Sequence, residues 1–275
     1  MRILVSVDME GATGVTCPED VAPGSEQWQR FRRMLTSDTN AAIEGFFAAG
    51  ADEVLVNEAH CTMRNVLLEE LDPRAALLTG RHKPLGMMEG VLECDAVAFV
   101  GYHTGGGEPG VLAHTYLPTG LLQLRINGEP ASEGRLNALL AAEAGAPVVL
   151  VTGDDLTCRE AAGWAPHART VAVKTCVSRY AAVCLSPART AGLIREAAAG
   201  SLRPAGRPQG VPRGPWHFDL QFVSTQLADA CTAVPTVSAV GPRTVAFTTE
   251  RMYEGMRCFR ALTRLAVAAR EPDFD

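Results

Sequence analysis

The sequence lacks any apolar run long enough to cross a bilayer. Its amino-terminal apolar stretch, MRILVSV, is interrupted by Asp8 after a single strand length, so neither a membrane anchor nor a signal peptide is expected. Aromatic residues are scarce at 6%, and no basic stripe interleaves with them. With 25 Lys and Arg against 31 Asp and Glu, the formal charge is −6, and this balance excludes a nucleic-acid partner. The eight cysteines (17, 61, 94, 158, 176, 184, 231 and 258) form no CxxC pair. Scattered cysteines in a chain without an export signal are expected to be reduced and packed as small hydrophobes, which points to a cytoplasmic protein. There are no internal repeats or low-complexity tracts. Neither GxGxxG nor GxxxxGK[ST] occurs in a strand–turn–helix context, which leaves the glycines at 11–14 and 105–107 as sites of close backbone packing rather than a phosphate cradle.

What remains is an ordinary globular composition, 47% hydrophobic over 275 residues, enough to bury a large core without disulfides or bound ligands. Strand-like and helix-like patterns alternate along the chain. Residues 2–8, 53–57, 75–79, 95–101, 147–152 and 170–173 read as strands, and 25–49, 132–144 and 186–199 as helices. Asn127-Gly128 is a turn dipeptide of the kind that joins hairpin strands. The alternation predicts an α/β fold, a mostly parallel sheet with helices on both faces, over residues 1–200. Residues 201–215, rich in Pro, Gly and Arg, read as a linker. Residues 216–275, with strands at 217–223, 236–240 and 244–248 and a helix at 250–270, read as a smaller C-terminal α+β part.

On this map Asp8 ends the first strand and Glu10 lies in the following turn. His60 comes three residues after the second strand and His103 two residues after the strand at 95–101. The carboxyl ends of parallel strands share one edge, where ligands bind. Three strand ends therefore deliver two carboxylates and two imidazoles to one crevice, an inventory that suits zinc. Taken singly, each of these would be a cap, a turn residue or a satisfied polar side chain. Downstream, Glu133 opens a predicted helix with Asn137 one turn on, and His114 follows an apolar triplet. Each has a plain structural reading, as a helix-dipole partner and as a histidine bonded to backbone. Asp154 and Asp155 read as a strand-end pair or a helix cap. Lys174 and Arg179 are left between holding a substrate carboxylate and making a subunit contact.

SVDMEG (6–11), VNEAH (56–60), GYH (101–103), GVLAHT (110–115), EGRLNA (133–138) and AVKTCVSRYAAVCLSP (172–187) together resemble the D-aminopeptidase (DppA-like) family of zinc metallopeptidases. The resemblance runs in order to about residue 187. It implies a metallo-aminopeptidase that hydrolyses short peptides with an N-terminal D-residue through water activated by two zinc ions. Asp8 would bridge the ions, Glu10 and His103 would complete one, His60 and Glu133 the other, and His114 would be catalytic. It also implies a ring-like homo-oligomer, such as a decamer, enclosing a chamber. Glu58 and Cys61 beside His60, and the glycine-rich TGGGEPG at 104–110, depart from the family pattern and bear on substrate preference. The competing readings are a di-metal amidase or esterase acting on a non-peptide substrate, and a ligand-binding module without catalysis.

Overall fold

The computed structural model describes residues 1–202 and 213–271. Most of the predicted linker lies outside the described residues. The first strands are β1 (Arg2–Val7), β2 (Glu53–Glu58), β3 (Ala76–Leu78) and β4 (Ala96–Val100). A short hairpin follows, β5 (Leu121–Ile126) and β6 (Glu129–Pro130), then β7 (Val148–Asp154), β8 (Arg169–Ser178) and β9 (Ala181–Cys184). The last three are β10 (Trp216–Phe222), β11 (Ser238–Gly241) and β12 (Thr244–Thr249). The helices are α1 (Pro18–Val21), α2 (Glu26–Ala48), α3 (Glu133–Glu143), α4 (Asp155–Trp164), α5 (Pro187–Ser201), α6 (Thr225–Cys231) and α7 (Met252–Ala268).

Seven strands form the main sheet in the order β3-β2-β1-β4-β7-β8-β9. All neighbours are parallel except the edge pair β8–β9. Successive side chains of a strand face opposite sides, and β1 divides its apolar residues accordingly. Ile3, Val5 and Val7 enter a core with Phe31, Leu35 and Phe46 of α2 and Ile194 and Ala198 of α5. Leu4 faces the other way, into a core with Leu136 and Leu140 of α3 and Met256, Phe259 and Leu262 of α7. Both faces are therefore covered, which is why the strands read as continuous apolar runs. The α/β class with a mostly parallel sheet matches the expectation.

The second sheet, β11-β12-β10-β5-β6, is antiparallel. It takes β5 and β6 from before α3, so the C-terminal strands extend a hairpin contributed by the first half of the chain. Asn127 (φ 52°) and Gly128 (φ 82°) make that hairpin turn in the left-handed conformations such a turn requires. The long helices begin as their sequences predict: the Ser25 side chain caps α2 and that of Ser132 caps α3. No helix among the described residues is long and apolar enough to cross a membrane.

Candidate metal centre

β1 lies between β2 and β4 in parallel register, with Val7 beside Glu58 on one side and Val100 on the other. The three strands end level, and the chain beyond each turns into the same space. Asp8 N donates to Val100 O (2.8 Å), Ala59 N to Val7 O (2.8 Å) and Gly11 N to Gly101 O (2.8 Å), lacing the three turns together. Two glycines make this approach possible. A Cβ on Gly11 would stand 1.9 Å from the Tyr102 carbonyl oxygen, and one on Gly101 (φ +73°) 2.1 Å from that of Asp8.

Asp8, Glu10, His60, His103, His114 and Glu133 all converge and are all buried. Their closest donor atoms form three groups, each within 4.8 Å: Asp8, Glu10 and His60; Asp8, His103 and Glu133; and Glu10, His103 and His114. His60 Nδ1 is 3.0 Å from Glu10 Oε2 and 3.4 Å from Asp8 Oδ1. His103 Nε2 is 3.4 Å from Asp8 Oδ2 and 3.7 Å from Glu133 Oε1. His60 thus stands nearest Glu10, and His103 nearest Asp8 and Glu133, while Glu10 and His103 also share a donor group with His114. Glu10 turns towards the β2 side of β1, where His60 arrives, whereas His103 leaves β4 on the other side, next to α3.

Each histidine is oriented by a backbone carbonyl. His60 Nε2 bonds Val21 O (2.8 Å), His103 Nδ1 bonds Thr104 O (2.9 Å) and His114 Nδ1 bonds Leu112 O (2.8 Å). A carbonyl only accepts, so one proton stays on the outer nitrogen and the inner nitrogen, once deprotonated, offers its lone pair to the cluster. Asp8 Oδ2 and His103 Nε2 are buried with no hydrogen-bond partner. A buried carboxylate oxygen and a buried imidazole nitrogen that face each other without a close hydrogen bond leave room for a cation that would replace the ring proton. Together with the mixed carboxylate and imidazole donors, this fits zinc.

The electrostatics agree. Burial works to raise Glu10, but the charge and bond of His60 outweigh it and hold the carboxyl well below its usual range. Burial opposes protonation of His60 and His103, yet the surrounding carboxylates win: His60 is raised well above its usual range and His103 to about 10. Burial pushes Glu133 up to about 8. Burial and the neighbouring His103 push His114 down to about 4. Near pH 7 the protein groups therefore hold protons on His60, His103 and Glu133 that ligation must displace. Zinc uptake at pH 7 is expected to release protons, and apparent affinity to rise as the pH climbs towards about 10, by about tenfold per pH unit for each proton expelled. Calorimetric titration in buffers of different ionisation heat measures this, and proton-neutral uptake at pH 7 would contradict it.

The neighbours that secure this cluster were less visible in the sequence. Lys174 is fully buried, and its Nζ donates to the carbonyls of Glu10 (2.6 Å), Ala12 (2.9 Å) and Val15 (2.7 Å). All three of its N–H donors are used inside the protein. It fastens the turn that carries Glu10 to β8. Asp38 of α2 grips the same turn through Thr13 N (2.9 Å) and Thr13 Oγ1 (2.8 Å). Asp154 caps α4 through Thr157 N (2.7 Å) and also accepts from Val111 N (2.8 Å), steadying the loop of His114. Glu58 accepts from Asn65 N (2.6 Å) and Val66 N (2.5 Å) and so anchors the loop after His60. Asn137 lies beneath the cluster, bonded to the Tyr102 hydroxyl (3.0 Å). Lysine within the apolar strand AVKTCV was the one available sign of the Lys174 clamp. Asp38 sits mid-helix and carried none.

A profile of the D-aminopeptidase family matches residues 1–261. The chain belongs to the D-aminopeptidase family. It is 35% identical over 271 residues to the D-aminopeptidase of Bacillus subtilis (strain 168), covering 97% of this chain and 98% of that one. Among solved structures it resembles the Zn-dependent D-aminopeptidase DppA from Bacillus subtilis, described as a self-compartmentalizing protease. The TM-score is 0.92 at 34% identity, with 97% of this chain and 98% of that one covered. Membership makes this chain a metallo-aminopeptidase, a hydrolase acting on peptide bonds.

Proposed function

We propose that this chain is a two-zinc aminopeptidase that removes an N-terminal D-residue from short peptides. The observation that carries the reading is the double membership of Asp8, whose two oxygens face separate donor groups, one with His60 and Glu10 and the other with His103 and Glu133. A carboxylate shared in this way offsets the repulsion between two cations held close together. Zinc, when bound, supplies Lewis acidity for the scissile carbonyl and lowers the pKa of the attacking water.

The chain's own groups do the rest. Glu10, Glu133, His60 and His103 would hold the ions, and their fixed orientation removes reorganisation from the reaction. His114 Nε2 stands 3.9 Å from both Glu10 Oε1 and Glu133 Oε1, outside hydrogen-bond reach of either. Its neutral ring can accept a proton from water and return it to the departing amine. The rings of His103 and His114 stack at 4.4 Å with 9° between their planes, which fixes that proton carrier against a ligand. The stereochemical preference is supported by the activity named for the Bacillus relatives. The self-compartmentalizing description of the solved relative likewise supports a ring-like homo-oligomer. The β8–β9 hairpin exposes Val177, Tyr180 and Val183, and its Arg179 carbonyl accepts from Leu112 N (2.9 Å). An apolar contact surface of this kind would lie two residues from His114.

The third donor group, Glu10, His103 and His114, favours a second reading in which His114 is itself a ligand. The test of the main reading is zinc stoichiometry of protein purified without chelator, with cleavage of D-Ala-D-Ala beside L-Ala-L-Ala and simple amides in the same preparation. Two zinc ions per chain and preference for the D-dipeptide are expected. One ion or none would overturn the two-metal part. Preference for the L-dipeptide or for a non-peptide amide would overturn the substrate part.

A further inference from the structure

Beside the metal cluster, on the α3 side of the sheet, three hydrogen-bond donors meet without an acceptor for all of them. Arg260 of α7 is buried, with 9% of its surface exposed. Its guanidinium lies against Gly86, where a Cβ would stand 1.5 Å from Nη1. Among the described residues it forms no ion pair, and its hydrogen-bonding neighbour is the Tyr116 hydroxyl. Tyr116 presents its buried hydroxyl to Arg260. Lys83, 7% exposed, donates to Asn57 Oδ1 and the Glu58 carbonyl, which leaves one of its three N–H bonds unused, and it feels the repulsion of Arg260. A largely buried guanidinium with five donors and only a hydroxyl beside it is costly, and a second cation nearby adds to the cost. An anion within reach of all three would satisfy them.

The trio is tied to the metal cluster from two sides. Tyr116 N donates to Glu133 Oε1 (2.7 Å), so its ring spans from a candidate metal ligand to Arg260. Lys83 bonds the carbonyl of Glu58, two residues before His60. In a dipeptide the free carboxylate lies one residue beyond the scissile bond, on the order of one Cα–Cα step of ~3.8 Å.

We propose that Arg260, Lys83 and Tyr116 form the subsite that receives the C-terminal carboxylate of a short peptide substrate. The proposal rests on the aminopeptidase reading above and deepens it: the enzyme measures peptide length by its carboxylate and so prefers dipeptides with a free carboxyl end. Lys174 and Arg179, the sequence candidates for this task, are spent on backbone carbonyls and on solvent-facing contacts.

The experiment compares D-Ala-D-Ala with D-alanyl-D-alaninamide on the zinc-loaded wild-type protein and on Arg260→Gln and Lys83→Met. The wild type is expected to favour the free acid by roughly 10- to 100-fold in kcat/KM, the range of a charge-assisted contact. In each variant the ratio should fall towards one, chiefly through KM. Thermal stabilisation of the same proteins by the two ligands gives the same comparison without turnover, so it reads the subsite even if the peptidase reading fails. Equal handling of acid and amide by the wild type, in both assays, overturns the proposal. So does a variant that folds and keeps the wild-type ratio. If Arg260 instead meets a carboxylate from a second copy of the chain, Arg260→Gln shifts the oligomer mass while the acid-to-amide ratio stays, and the subsite is rejected.

Discussion

Replacing Asp8 with asparagine is expected to abolish stoichiometric zinc at both positions and to reduce peptide cleavage to background while the protein stays folded. The substitution keeps the shape and the bond from Met9 N to Oδ1 (2.9 Å). It removes the charge that both donor groups share and replaces Oδ2 with an amide nitrogen. That nitrogen would face His103 Nε2, 3.4 Å away and otherwise unpartnered. An N–H donor there can occupy the very lone pair that His103 offers to a metal, so the variant satisfies the buried pair internally. Circular dichroism should therefore match the wild type, and metal analysis should show well under two ions per chain. A variant with full zinc content and normal turnover would remove Asp8 from the centre of the site.

His114→Ala is expected to behave in the opposite way, with zinc retained and kcat lowered by about 10²- to 10⁴-fold, the usual contribution of a positioned acid–base group. The geometry supports a mobile proton rather than a metal bond. Nδ1–H is pinned to the Leu112 carbonyl by a residue in a left-handed conformation (φ 54°), and Nε2 points into the space between Glu10 and Glu133. Burial and the adjacent His103 favour the neutral ring, the form that can take a proton. Measuring zinc and turnover on one preparation decides between roles. Loss of one ion together with activity would make His114 a ligand, and normal activity with full zinc would leave it a structural residue.

Much of this site could be read before any coordinates. Asp8, Glu10, His60 and His103 could be placed together because parallel strands end on one edge. The observed register, with Val7 level with both Glu58 and Val100, is that rule at work. Glu133 and His114 had no such geometric signal, since a helix-start glutamate and a histidine after an apolar triplet are each common. Only the ordered motifs singled them out. How the ligands divide between two positions is not written in the order of the chain, because that order does not say towards which neighbouring strand a turn leans.

The sequence by itself determined the periodic elements, the two-faced parallel sheet and the residue types at its edge, because these follow from local patterns with periods of 2 and 3.6 residues. Tertiary structure alone decided the groups whose partners lie far away in the chain. Lys174 reaches carbonyls more than 150 residues away, and Asp38 seizes a turn 25 residues before it. Arg260 comes to rest beside Lys83 and Tyr116 only because α7 packs on the α3 side of the sheet. A buried charge looks the same in sequence whether it clamps a loop, waits for a ligand or faces water, and its meaning depends on which acceptors folding brings within reach.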